Sequence, residues 1–289
     1  MSDSPLLAAP ATGPSTTPAP GRAGRNLGHA IGVGVALATL VLGTLAIDKD
    51  LFGYVIAAAM VVGAWEMRHA LLNRDITVPL LPVIVGAVAM ILSAQQRGPE
   101  ALTVAFGLTC MTILIWRFLD GVQGAARDVG AGFLVALYPC FLGGFAAMML
   151  AEDDGLARTV TFILTTVCSD IGGYAAGVLF GKHPMAPRLS PKKSWEGFAG
   201  SVAFCAVSGA ACVSLLLDGP WAGGAALGVV VACCATVGDL MESSIKRDLG
   251  IKDMSNLLPG HGGMMDRLDS LLMTAPVCWA ALLLLAPVA

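Results

Sequence analysis

Charge is what this chain has least of. Of its 289 residues only 13% are Asp, Glu, Lys or Arg, while 56% are apolar, and the mean hydropathy is +0.77. Soluble domains carry about a quarter charged residues, so a water-facing globular surface is excluded. Cysteine chemistry is missing too. The eight cysteines form no C-x-x-C, none stands at metal spacing from a histidine, and all fall in apolar stretches. They read as small buried hydrophobes rather than a disulfide framework or zinc site. No internal repeat is visible. No basic start precedes the weak apolar patch of the N-terminus, which argues against a signal peptide. Residues 2–26, rich in Ser, Pro, Thr, Ala and Gly, cannot bury a core and are expected to form a disordered tail.

What is present is a series of apolar stretches near 20 residues long, the length that crosses a bilayer as a helix. Nine candidates stand at about 27–47, 51–72, 78–95, 99–118, 129–150, 157–181, 197–217, 220–241 and 267–288. Glu66 and Arg68 weaken the second, and the eighth is expected to continue as a helix toward Lys246. With the N-terminus inside, fourteen basic residues fall on cytoplasmic connections and only Lys49, Arg97 and Arg158 on outer ones. That asymmetry predicts a cytoplasmic N-terminus, nine spans and an outer C-terminus. The fold class is therefore all-α, a polytopic membrane protein. A disordered tail (1–26) precedes N-terminal helices (27–155) and a C-terminal region (156–289) with polar loops at 182–196 and 242–266. Gly173, Gly177 and Gly181 lie four apart on one helix, and Gly224 and Gly228 on another, spacing suited to close helix packing or a dimer seam.

The scarce polar residues are concentrated. Ser243 to Asp269 carries four of the 17 basic residues and one of the four histidines, together with Asp248, Asp253, Asp266 and Asp269. Asp239, Glu242, Ser243 and Lys246 follow helical spacing and share one face. Asp266 and Asp269 share a face at the start of the last helix. Two close carboxylates there favour a divalent cation, although capping of the helix would need only one. Pro259-Gly260-His261-Gly262-Gly263 offers free backbone N–H groups to an anion beside a helix start, flanked by Lys246, Arg247, Lys252 and Arg267. His261 would either donate to phosphate or fix the turn. Asp170 stands about ten residues inside its span, roughly 15 Å deep at the helical rise. A carboxylate there costs on the order of 3 kcal/mol unless solvated or paired, so it is expected to face a polar cavity. Ser190-Pro191-Lys192-Lys193-Ser194-Trp195-Glu196-Gly197 sets two cations before an interfacial aromatic, either as an anchor or as part of an anion site.

The run S-x-I-K-R-x4-K-D-x-S-x2-L-P-x-H-G-G-M-x-D-R-L-D beginning at Ser243 resembles the signature of phosphatidate cytidylyltransferases, the CDP-diacylglycerol synthases. The S-P-K-K-S-W-E-G run and Asp170-x-x-x-Tyr174-x-x-Gly177 also resemble segments of that family. The likeness covers roughly 160–289 well; the first half agrees only in hydropathy. The resemblance implies a magnesium-dependent enzyme of the inner membrane, commonly dimeric, with its site facing the cytoplasm. It implies that CTP and phosphatidic acid give CDP-diacylglycerol and pyrophosphate. By the same likeness Asp239 and Asp266 match metal-associated aspartates, and Lys246, Arg247, Lys252, His261 and Arg267 match polar signature positions. The resulting expectation is direct in-line transfer without a Ser or Cys nucleophile. Asp239, Asp266 and Asp269 would hold Mg²⁺, and Lys246, Arg247 and Arg267 would neutralise the nucleotide phosphates. Lys192 and Lys193 would hold the lipid phosphate, with Ser243, Lys252, His261, Gly262, Gly263 and Asp170 contacting substrate. No nucleic-acid partner is expected. The alternatives are a CTP-dependent lipid kinase and, from another class, a secondary transporter using Asp170 as an ion site. A CDP-alcohol phosphatidyltransferase is set aside, because Asp120-Gly121 and Ala126-Arg127 have the wrong spacing and lack the following aspartates.

Overall fold

The computed structural model describes residues 27–258, 260 and 262–286; the expected tail at 1–26, Pro259 and His261 lie outside the described residues. The chain runs α1 (Leu27–Ile47), α2 (Lys49–Leu71), α3 (Leu80–Leu119), α4 (Ala125–Val135), α5 (Leu142–Ala151) and α6 (Gly155–Phe180). A short hairpin follows, β1 (Pro184–Ala186) and β2 (Ser190–Ser194), and then α7 (Trp195–Leu216), α8 (Trp221–Asp248) and α9 (Met265–Leu285). Among the described residues seven helices are long and apolar enough to cross a membrane, α4 and α5 counting as one with the π-helical turn Ala136–Phe141 between them, and Gly32–Ile47 is a shorter apolar helix. Pro139 lies in that π-helical turn, where its missing N–H breaks the α ladder.

Counted by continuous helices, then, the nine expected segments are not nine elements. Two of them, 78–95 and 99–118, merge into the 40-residue α3, which holds one non-helical residue, Gly98 (φ 75, ψ −159), just before Pro99. Only glycine adopts such backbone angles readily. The side chain of Thr109 packs so tightly on Gly86 that no Cβ would fit there. In a straight helix residues this far apart would stand about 34 Å from each other, so the element doubles back at Gly98. The all-α reading needs one small amendment. The polar loop 182–196 contains the antiparallel β1–β2 pair, in which Pro184 faces Ser194 and Ala186 faces Ser190. The polar segment expected at 242–266 is helical as far as Asp248, because α8 extends beyond its apolar stretch, as anticipated.

The connections sort to two ends. At one, which we call the loop end, Arg74 donates to the Asp248 carbonyl and Arg127 to that of Asp75. Arg117, buried, pairs with Asp128 at 2.9 Å and also donates to the carbonyls of Gly121 and Gln123, closing the α3–α4 turn. At the other, the turn end, Lys49 donates to the Glu152 carbonyl at 2.5 Å, Gln95 to Asp50 at 3.0 Å, and buried Arg158 to Asp154 and to the carbonyl of Ala286 just past α9. One core cluster joins α2, α3 and the α4–α5 segment to Met265 and Leu272 of α9, while a second lies among α6–α9. Helices α6, α7 and α8 pack in sequence through small residues. A Cβ on Gly172 would lie 2.6 Å from the Gly200 carbonyl oxygen, and Gly224 and Gly228 press against the α7 backbone in the same way. Close packing is therefore what these glycines provide, as their spacing indicated.

Candidate active site

At the loop end α6, α7, α8 and β2 surround a cavity of about 280 Å³ whose lining includes Asp170, Tyr174, Lys192, Lys193, Ser201 and Asp239. Each is placed by a local cause. Gly173 brings α6 against α7, since a Cβ there would sit 2.6 Å from the Ser201 hydroxyl, and that hydroxyl donates to the Ser169 carbonyl at 2.6 Å. The α6–α7 wall is therefore closed by Ser169, next to Asp170, and by Gly173, about one turn beyond it. Ser194 caps α7, accepting from the Gly197 amide at 3.1 Å, which ends β2 and starts the helix. Glu196 in the first turn accepts from the amides of Lys182 (3.1 Å) and His183 (3.2 Å) and pairs with the His183 ring, fixing the other end of the hairpin. Lys192 and Lys193 are thereby held over the cavity, and the Lys193 ammonium reaches Asp239 of α8 at 2.6 Å.

The polar face of α8 divides into two pairs. Asp239 and Ser243 form the edge toward the cavity, with the Ser243 hydroxyl donating at 3.3 Å. Glu242 and Lys246 form the edge toward α9. Lys246 donates to Glu242 at 2.5 Å and to Asp266 at 2.6 Å, and all three side chains are largely buried. Asp266 does more than pair. Its other oxygen accepts from the amides of Gly263 (2.7 Å) and Met254 (2.9 Å), so it closes the loop between α8 and α9 onto the start of α9. Asp269, one turn later, lies where α8 and α9 touch; a Cβ on Gly238 would meet its carbonyl oxygen at 2.5 Å.

These groups form one electrostatic cluster. Asp239 repels both Asp170 and Asp269, and Lys193, Arg267 and Lys246 offset that repulsion. Arg247, Lys252 and Arg267 are exposed at the same end. Asp239 and Asp266, expected to meet at one cation, are each paired with a lysine, Lys193 and Lys246 respectively. Among the described residues no three His, Cys, Asp or Glu side chains converge as a preformed metal site. The donor set nevertheless suits a hard divalent ion: the carboxylates of Asp170 and Asp239 line the cavity, and they and Asp269 repel one another. Gly262 (φ 83) and Gly263 lie against Asp266, and Gly262 pairs with Leu258 across the turn. His261 lies outside the described residues.

The sequence reading missed Glu66. This carboxylate, fully buried on α2, accepts from the Ser255 hydroxyl (2.6 Å) and from the amides of Met264 and Met265 (each 2.9 Å). Its only signal was an acid inside an apolar stretch, which marks a partner somewhere without naming it.

The cytidylyltransferase family model matches residues 29–285, nearly all of the described chain. The chain belongs to this family. Curated proteins named phosphatidate cytidylyltransferase are similar along most of its length. The one from Mycobacterium leprae is 39% identical over 283 residues, covering 91% of this chain and 90% of its own. That of Mycobacterium bovis is 38% identical over 293 residues (96% and 95%). That of Pseudomonas aeruginosa is 36% identical over 259 residues (83% and 90%). The likeness thus extends through the N-terminal helices, where this cytidylyltransferase had shown only a shared hydropathy.

Proposed function

We propose that this membrane enzyme transfers the cytidylyl group of CTP to phosphatidic acid, giving CDP-diacylglycerol and pyrophosphate. Membership of the family and the names of its relatives support the reaction. What carries it to the residues of this chain is one cavity that gathers Asp170, Lys192, Lys193 and Asp239 from α6, β2 and α8. A phosphate oxygen of the lipid attacks the α-phosphorus of CTP. The new P–O bond forms as the bond to the β-phosphate breaks, and pyrophosphate leaves. Both partners are anions, so neutralising charge and holding them in line are the main tasks. Lys192 and Lys193 hold the lipid phosphate at the hairpin. Arg247, Lys252 and Arg267 face the nucleotide phosphates from the loop end, with Ser243 and the Gly262–Gly263 backbone beside them; His261 belongs to the same proposed set. Lys246 keeps α8 and α9 in register by bridging Glu242 and Asp266.

Magnesium would be held by Asp239 and Asp269 with Asp170 near, Asp266 joining only by releasing Lys246. When bound it would supply charge neutralisation at the nucleotide phosphates. The distribution of basic residues supports a cytoplasmic loop end in an inner membrane. The reversal at Gly98, with α1, supports nine crossings and an outer C-terminus. By the resemblance, two copies assemble.

Purified protein given CTP, phosphatidate and Mg²⁺ should release pyrophosphate and form the liponucleotide. Label in the α-phosphate should appear in the lipid product. Transfer of γ-label instead would make it a lipid kinase, and proteoliposome uptake indifferent to nucleotide would make it a transporter. Asp266→Asn, assayed across a magnesium titration, should lose turnover at every concentration; near-normal turnover would remove Asp266 from the site.

A further inference from the structure

We propose that Glu66 is a positioning residue for this reaction, holding the loop between α8 and α9 in the geometry that turnover needs. The inference rests on the proposed function and adds a residue from the half of the chain that carries none of the signature. Three observations meet at this carboxylate. First, it is fully buried at the end of an apolar helix and accepts three hydrogen bonds, all from the loop or the start of α9: Ser255 hydroxyl, Met264 amide and Met265 amide. Those amides are among the first N–H groups of α9, which have no partner within the helix. A carboxylate there also favours the positive end of the helix dipole. Glu66 therefore acts as a cap supplied by a helix far away in sequence.

Second, the surroundings are shaped to that contact. Gly63, one turn before Glu66, leaves room for Met265, whose sulfur would lie 2.8 Å from a Cβ on Gly63. A Cβ on Gly263 would lie 2.7 and 2.9 Å from the two Glu66 oxygens. Gly263 does not have the left-handed backbone of Gly260 and Gly262, so the carboxylate is what keeps position 263 small. Third, the same few residues carry the catalytic end of α9. Gly263 donates to Asp266, and Asp266 holds Lys246. The loop is thus tied from two sides, by Asp266 inside the site and by Glu66 behind it. If Glu66 is lost, Asp266 and Arg267 lose the support that sets their position. Displacements near 1 Å cost about a hundredfold in rate.

The test uses full-length enzyme in nanodiscs, with Glu66→Gln, Ser255→Ala, Gly263→Ala and the double variant Gly263→Ala/Glu66→Asp. Glu66→Gln turns an amide toward donors that need an acceptor. It should speed hydrogen exchange of the Met264 and Met265 amides, lower kcat about a hundredfold, and leave KM for phosphatidate within about twofold. Ser255→Ala, which removes one bond of three and should fold, should give the same pattern more weakly. Gly263→Ala should lower kcat, and the shorter Asp at 66 should restore part of it by relieving the collision. Unchanged exchange in Glu66→Gln, or faster exchange with unchanged kcat, overturns the proposal. So does a double variant no better than Gly263→Ala. A wild-type enzyme that makes no liponucleotide sinks the functional reading instead, and exchange and suppression then decide the Glu66 contact on their own.

Discussion

Lys246 carries more of the site's architecture than its place in a signature suggests. Its ammonium lies between Glu242 and Asp266, where side-chain exposures are 13%, 0% and 5%. Two carboxylates that close and that buried cannot both stay ionised without a cation between them. Lys246→Met should therefore destabilise the protein by about 3–5 kcal/mol, the usual cost of breaking a buried pair from one side. A thermal unfolding series in detergent checks this. Lys246→Arg, which keeps the charge, should recover part of the loss. Residue types and helical spacing placed Asp239, Glu242, Ser243 and Lys246 on one face, and they are on one face. How that face splits, with Asp239 turned to Lys193 and Lys246 to Asp266, was beyond the sequence. It depends on which helices flank α8, a long-range fact with no local trace. Glu66 was equally opaque. Its burial could be inferred, but its partners stand 189 to 199 residues away.

The helices themselves were far more legible, because the bilayer imposes their length and composition. Expected bounds agree with α1, α2, α6 and α7 to within a few residues, and the extension of α8 to Asp248 follows from its polar stripe. The β1–β2 pair was not foreseen. Three- and five-residue strands of ordinary loop composition have too little periodicity to read. The glycine spacing did signal close helix packing, here a seam between α6 and α7 within one chain, and its cost can be measured. A Cβ at Gly200 meets Ala176 and the Gly172 carbonyl, whereas one at Gly107 meets nothing within 4 Å. Gly200→Leu should destabilise by about 1–3 kcal/mol or more, and Gly107→Leu should stay within about 0.5 kcal/mol. Equal melting temperatures for the two would show that α6 and α7 do not touch where the structure puts them. The seam also shapes the cavity wall, so Gly200→Leu should lose activity below its melting temperature as well.

On the scale of the molecule, the two ends differ in charge and in kind. Lys49 and Arg158 tie down the turn end, and nearly every other basic residue with an assigned place stands at the loop end. In a cysteine-free background, Lys252→Cys should react with a membrane-impermeant maleimide only in inverted vesicles, and Asp153→Cys only from the outer side. The opposite pattern would reverse the orientation. The connections at the turn end are very short: Asp48 between α1 and α2, Gly98 within α3, 152–154 before α6, and 217–220 before α8. Such a face gives antibodies, proteases and water-soluble inhibitors almost nothing to grip, and an epitope inserted there would have to pry apart packed helices. If the loop end faces the cytoplasm, as proposed, compounds meant to block this protein from outside a cell would have to cross the membrane first.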